Sequence, residues 1–355
     1  MSNSITIPVG RQILGRVINS RGEVIDGREP ITNTARLPLV SLMSEQQAPQ
    51  VLETGIKVVD LLAPIRRGGV IGLFGAEGVG EIVLVEELMH IVITHYHGYI
   101  VCLGMDENNY ELSELMEPLK ELGMQNRVAM VFEPLSSSPE TCLRLVRAGL
   151  TIAGEIRARG HEVLMVADYN LSAHGNLAEM SELKRVAREK EITTLLLRAN
   201  DEFAQREQSR VQEQLDGQIV FNRDLARQNL WPAIDRSLSN SRLLESSAVS
   251  SEHSQVARQV RSLLQRAQEL QGQQNLSPED QLVVKRAASV QQFFTQPFFV
   301  AEPFTEIPAE YVNIADTIKN FKELLEGHYD DLPEQAFSFT GTIDQVLARN
   351  KHANS

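Results

Sequence analysis

Short apolar runs separated by amphipathic stretches organise the middle of this chain. "GVIGLFG" (69–75), "GYIVCLGM" (98–105), "RVAMVFE" (127–133) and "HEVLMVADYN" (161–170) are nearly continuous in apolar residues, as strands buried on both faces are. Between them, "EIVLVEELMHIVITHYH" (81–97), "NYELSELMEPLKELG" (109–123, broken near Pro118) and "SPETCLRLVRAGLTIAGEIRARG" (138–160) place apolar residues at helical spacing. Strands joined by crossover helices predict a mostly parallel sheet with helices on both faces. Upstream, residues 9–27 read as short strands and turns with a tight connection at "SRG", and residues 28–52 as a proline-spaced crossing segment.

Beyond about residue 245 the pattern turns helical. Val256, Val260, Leu263, Leu264, Ala267 and Leu270 share one helical face. "SPED" (277–280) predicts a helix start, with Ser277 as N-cap, Pro278 in the first helical position and acids in the first turn. "IADTIKNFKELLEG" (314–327) predicts a helix ending at Gly327, and the final "ARNKHANS" is expected to fray.

Composition narrows the function classes. At 355 residues with 42% hydrophobic and 23% charged content, the chain has what a packed core requires. A net charge of −13 argues against a nucleic-acid partner, whose phosphates would be repelled. Cys102 and Cys142 offer neither a disulfide framework nor metal-ligand spacing. The start "MSNSITIPVG" has no basic region followed by an apolar run, and the most apolar stretches carry acids and are too short to span a bilayer. The expectation is a soluble cytoplasmic protein that reaches a membrane, such as the inner membrane, only through partners.

Between the first strand and its helix stands "GLFGAEGVGEI" (72–82). A phosphate-binding loop reads G-x-x-x-x-G-K-[ST]: its amides cradle phosphates, the lysine neutralises them and the hydroxyl binds Mg²⁺. Gly75, Gly78, Val79 and Gly80 keep the shape of that loop. Glu81 stands in the lysine position and Ile82 in the hydroxyl position, with Glu77 a second acid. Charge attraction becomes repulsion, and no oxygen is offered to a metal.

Four further segments carry a resemblance: "LETGIKVVDLLAPIRRGGVIGLFG" (52–75), "SEHSQVARQV" (251–260), "QPFFVAEPFT" (296–305) and "LPEQAF" (332–337). Together they resemble the catalytic beta subunit of F-type ATP synthases, from about Val9 to near Ile343. The resemblance implies a RecA-like α/β nucleotide-binding domain over residues 51–245, then a C-terminal helical domain over 246–345. It also implies a remnant of the barrel-to-core connection over 1–50, without the N-terminal β-barrel, and a tail over 346–355.

Site roles follow by position. Glu107, in "MDEN", matches the family's catalytic carboxylate, with Asp106 and Asn108 replacing the glycine and arginine of its G-E-R motif. Asp168 matches the acid that holds Mg²⁺. Trp231, in "LWPAID", and Phe298, Ala301 and Phe304 match the base pocket, and these aromatics suit ordinary core packing equally well. The family's T-D-P-A-P run is replaced by "AQREQ" (204–208), the rotor-facing loop near "NLSAHGN" (170–176) is short, and the acidic lever is reduced to "NLSPED" (275–280).

The function so implied is a non-catalytic relative acting as a binding, regulatory or assembly module, partnered by ATP synthase-type subunits or by itself. Its cofactor would be ATP or ADP with Mg²⁺, bound weakly or not at all. Alternatives are a sensor of ADP or adenosine, and a working ATPase or synthase subunit. Two cation sites are also conceivable from residue type: His90, His95 and His97, or the acids Glu77, Glu81, Glu107 and Asp168.

Overall fold

The computed structural model describes residues 5–39, 49–75, 78–105, 119–121, 123–134, 136–168, 177–197 and 215–353. The chain forms two compact units. The first comprises Met1–Ala48, Arg66–Glu77 and Glu81–Asp216; the second comprises Pro49–Ile65, Gly78–Gly80 and Gly217–Ser355.

In the first unit the strands β1 (Thr6–Pro8) and β3 (Arg36–Pro38) pair antiparallel. A central sheet takes β2 (Val17–Ile18), β6 (Val70–Phe74), β7 (Tyr99–Met105), β8 (Val128–Glu133), β9 (Val163–Asp168) and β10 (Thr193–Leu197). These six are ordered β6-β10-β9-β7-β8-β2, every adjacent pair parallel. Residues of β6 are buried throughout, as the unbroken apolar run requires. Its first amide, Val70 N–H, donates to Asp216 Oδ2 at 3.0 Å, and Asp216 is ion-paired with Arg188.

Three crossover helices, α2 (Glu81–Thr94), α3 (Pro139–Ala158) and α4 (Leu177–Glu189), pack on the strands. Ser138 caps α3, accepting from the Thr141 amide at 3.3 Å with Pro139 in the first turn. Helix α2 stops at Thr94 rather than at residue 97, and His97 takes a left-handed backbone, φ 52°. The helix expected over 109–123 falls mostly on residues outside those described.

In the second unit two short strands, β4 (Val51–Leu52) and β5 (Ile65–Arg66, ending at the unit boundary), bracket helix α1 (Lys57–Leu62) in sequence. Strands β11 (Gly217–Val220) and β12 (Asn240–Ser241) pair antiparallel around α5 (Arg223–Arg227). The helical part contains α6 (Ser251–Leu270), α7 (Pro278–Phe293), α8 (Glu302–Thr305), α9 (Ile314–Glu326) and α10 (Ile343–Ala353). Helices α6, α7 and α9 meet one another around Phe293, Phe294, Phe321 and Phe337, all fully buried. The Phe294 and Phe321 ring centroids lie 4.3 Å apart, and those of Phe293 and Phe321 5.1 Å.

The capping residues read from sequence act as expected. Ser277 Oγ accepts from the Asp280 amide at 3.1 Å with Pro278 beside it, and Gly327 ends α9 in the left-handed conformation at φ 85°. Ser277→Ala is expected to cost about 1 kcal/mol, read as a lower melting midpoint; an unchanged midpoint would remove this cap from the account. The C-terminal segment differs from expectation. Residues 343–353 are helical, and the buried Ile343 and Val346 explain why the segment stays wound.

Candidate functional site

In the first unit, the sheet carries the residues that the resemblance assigns to phosphate and metal. Because the strands run parallel, their C-terminal ends share one edge. Gly75 follows β6 there, and Asp168 ends β9, paired by backbone register with Leu197 of the intervening β10. Glu81 opens α2 and is half-buried; Ile82, next to it, is 43% exposed. A helix N-terminus attracts anions through its dipole and unpaired amides. Here the chain supplies its own anion, Glu81, at the first helical position. That favours the helix by about 0.3–1 kcal/mol, and it opposes a phosphate in the same place.

The residues present do not fit a Mg²⁺-bound triphosphate at this turn. Ile82 carries no oxygen to ligate a metal. Glu77 and Glu107 lie outside the described residues. Among the described residues no three of His, Cys, Asp and Glu are grouped to hold a metal. Of the three histidines, His95 and His97 are exposed; His90 is half-buried, and burial lowers its pKa.

The second unit holds the loop's glycines and the aromatic residues. Gly78 and Gly80 adopt left-handed backbone, φ 75° and 88°, and Val79 between them is buried. A Cβ on Gly80 would come within 3.0 Å of Cζ3 of Trp231, so the indole of Trp231 lies directly against the loop backbone. Trp231 is half-buried. Its carbonyl accepts the Gln296 amide at 3.0 Å, which ties "LWPAID" to the start of "QPFFVAEPFT".

The aromatics along that second segment divide. Phe298 is buried and belongs to the core. Ala301 is half-buried, and Phe304, on the single turn of α8, is 81% exposed. Core packing thus accounts for Phe298 but not for Phe304.

Beneath this surface lies a polar framework that the sequence pattern did not single out. Asp60, fully buried, accepts the Thr54 amide at 2.9 Å, the Thr54 hydroxyl at 2.8 Å and the Gly55 amide at 2.7 Å. Burial pushes the Asp60 carboxyl up to about 7, against those three donors. Gly55 holds φ 69° under the Tyr311 ring, which a Cβ would strike at 2.2 Å. Gln296 accepts the Lys57 amide at 2.9 Å, and its Nε2 donates to the Gly55 and Glu310 carbonyls, each at 2.7 Å.

Lys57 is among the largest fully buried side chains described. Its Nζ donates to the Thr340 carbonyl at 2.5 Å and stands 4.0 Å from the Phe293 ring centroid. Burial drives its pKa well below the ordinary lysine value, with Glu310 opposing. The sequence did hold a signal for this framework. "TGIKVVD" places Thr54 and Asp60 six residues apart around the start of α1. A lysine among apolar residues, however, reads as a solvated position.

Comparison with family models agrees with the division into a sheet domain and a helical domain. Residues 55–191 match the nucleotide-binding domain of the ATP synthase alpha/beta family. Residues 245–330 match the C-terminal domain of V and A type ATP synthase. The loop, Glu107 and Asp168 fall in the first stretch and Phe298, Ala301 and Phe304 in the second, while Trp231 lies between them. The second match is to V and A types where the resemblance pointed to F-type beta, so the matches support the resemblance at the level of the family only. At the level of the family, the chain is similar to ATP synthase alpha/beta-type proteins, with an α/β nucleotide-binding domain followed by a C-terminal helical domain.

Proposed function

We propose that the chain is a non-catalytic relative of the F-type ATP synthase beta subunit that acts as a binding, regulatory or assembly module with ATP synthase-type subunits. The observation that carries this reading is the first turn of α2. There Glu81 and Ile82 stand where the resemblance expects lysine and threonine. A loop whose helix opens on a carboxylate has lost the cation that offsets β and γ phosphates during phosphoryl transfer. Asp168 and Glu107, whatever their positions, then complete only half of a mechanism.

A second reading has its own support. Trp231 is half-exposed against the loop backbone, and Phe304 is exposed to a degree that packing does not explain. Stacking a base on such rings needs no phosphate chemistry. On this reading the module also senses ADP or adenosine without hydrolysing a nucleotide.

Among the described residues no helix is long and apolar enough to cross a membrane; on this reading the chain meets a membrane complex through its partner subunits. The test is steady-state hydrolysis of ATP with Mg²⁺ by the purified chain, alone and mixed with an alpha-type subunit. No turnover above background is expected in either case. Turnover near the usual enzymatic range, about 1 s⁻¹ or faster, would overturn the proposal in favour of a working subunit.

A further inference from the structure

We infer that Gln296 is a positioning residue for Trp231, and that it couples the proposed base surface to the buried Thr54–Gly55 turn. This inference deepens the base-binding reading above and rests on it for its ligand.

Gln296 is buried and uses its hydrogen-bonding groups in three directions at once. Its backbone N–H donates to the Trp231 carbonyl at 3.0 Å. Its Oε1 accepts the Lys57 amide at 2.9 Å at the start of α1. Its Nε2 donates to the carbonyls of Gly55 and Glu310, each at 2.7 Å. One residue, through its backbone amide to 231 and its side chain to 55–57 and 310, therefore joins segments that are far apart in sequence.

A primary amide is the only group that makes this set of contacts. It offers an acceptor to one amide and two N–H donors to two carbonyls. A glutamate of the same shape would turn an oxygen toward the two carbonyls, and a methionine of similar volume would take this partner from the Lys57 amide and the Glu310 carbonyl and leave the Gly55 carbonyl with the Val312 amide alone. Both changes release Gln296 from the Gly55 turn while leaving the aromatic core of α7 and α9 in place. The position of the Trp231 carbonyl, and with it the indole lying on Gly80, depends on that anchor.

Trp231 is the only tryptophan in the chain, so intrinsic fluorescence reports this site alone. The experiment compares Gln296→Glu, Gln296→Met and Phe337→Leu with the natural chain, using Trp231 emission, acrylamide quenching, adenosine titration and melting midpoint. Phe337 is fully buried against Phe293, with centroids 6.3 Å apart, and serves as a core change that keeps every hydrogen-bonding group of Gln296.

The expected result is a red-shifted emission and about a twofold rise in quenching for either Gln296 variant, as the anchor loosens locally. Adenosine affinity should fall about tenfold. Phe337→Leu should lower the melting midpoint without moving Trp231 emission or adenosine affinity. Should Gln296→Glu fail to fold, Gln296→Met carries the test without a buried charge. Unchanged emission and quenching in a folded Gln296 variant would overturn the inference, as would an equal change in Phe337→Leu. If the natural chain gives no adenosine response while the Gln296 variants still shift Trp231 quenching, the base reading fails and the positioning role stands.

Discussion

Replacing Glu81 with lysine and Ile82 with threonine is expected to strengthen binding of ADP with Mg²⁺ by about a hundredfold or more. Charge sets the scale of this effect. A pair 4 Å apart at an effective dielectric constant near 20 is worth about 4 kcal/mol, so reversing one charge changes the interaction by up to about twice that. Glu81 is half-buried and Ile82 is 43% exposed, so solvent screens much of this difference. About 3 kcal/mol is a conservative remainder, which corresponds to about a hundredfold.

The threonine adds a hydroxyl for the metal, and Gly78 and Gly80 each hold a left-handed backbone. The same change removes a favourable acid from the start of α2, so a stability loss of up to about 1 kcal/mol should accompany the gain in affinity. Calorimetric titration with ADP and with adenosine checks both parts. Adenosine affinity should be unaltered, since it brings no phosphate to the turn. An ADP affinity equal to that of the natural chain would mean that this turn is no longer shaped as a phosphate site.

The second large effect belongs to Lys57. Lys57→Ala is expected to destabilise the chain by about 2–5 kcal/mol, because it empties a fully buried site and strips the Thr340 carbonyl of its donor. Lys57→Met keeps the volume but also leaves the Thr340 carbonyl without that donor, and should cost less than the alanine, about 1–3 kcal/mol. Chemical denaturation of the two variants reads the difference directly.

The pH dependence gives an independent check. Burial holds the Lys57 pKa below its unfolded value, so the unfolded chain binds the extra proton. The stability of the natural chain should therefore rise, relative to Lys57→Met, as pH climbs from the depressed folded value toward about 10.4. Asp60 acts in the opposite sense. Its carboxyl, raised to about 7, contributes stability that is complete at acid pH and is lost as pH rises through that value. A natural-chain stability that does not rise relative to Lys57→Met as pH climbs would contradict a buried amine whose pKa is lowered.

What could be read in the sequence, and what could not, follows from range of interaction. β6 and the start of α7 announce themselves locally: an unbroken apolar run, and a serine followed by proline and two acids. Helix α10 did not, because "ARNKHANS" is polar and its order comes from Ile343 and Val346 finding a core elsewhere in the unit. The end of α2 was placed three residues late, since His95, Tyr96 and His97 neither favour nor forbid a helix and only the backbone turn at His97 ends the segment.

The site divides in the same way. Glu81, Ile82 and the loop glycines were legible by position, and so was the pairing of Trp231 with the 296–305 segment. That Phe298 is core while Phe304 is exposed depends on contacts no local pattern reveals. The roles of Gln296 and Lys57 were hidden for the same reason: their partners lie up to 283 residues away.

The most direct test of the central claim, a base surface kept while phosphate chemistry is lost, is a titration of Trp231 fluorescence with ATP, ADP and adenosine, with and without Mg²⁺. Weak responses that ignore the metal are predicted, with ATP and ADP binding no more tightly than adenosine. A tight ATP or ADP response that requires Mg²⁺ and exceeds adenosine by about tenfold or more would contradict it.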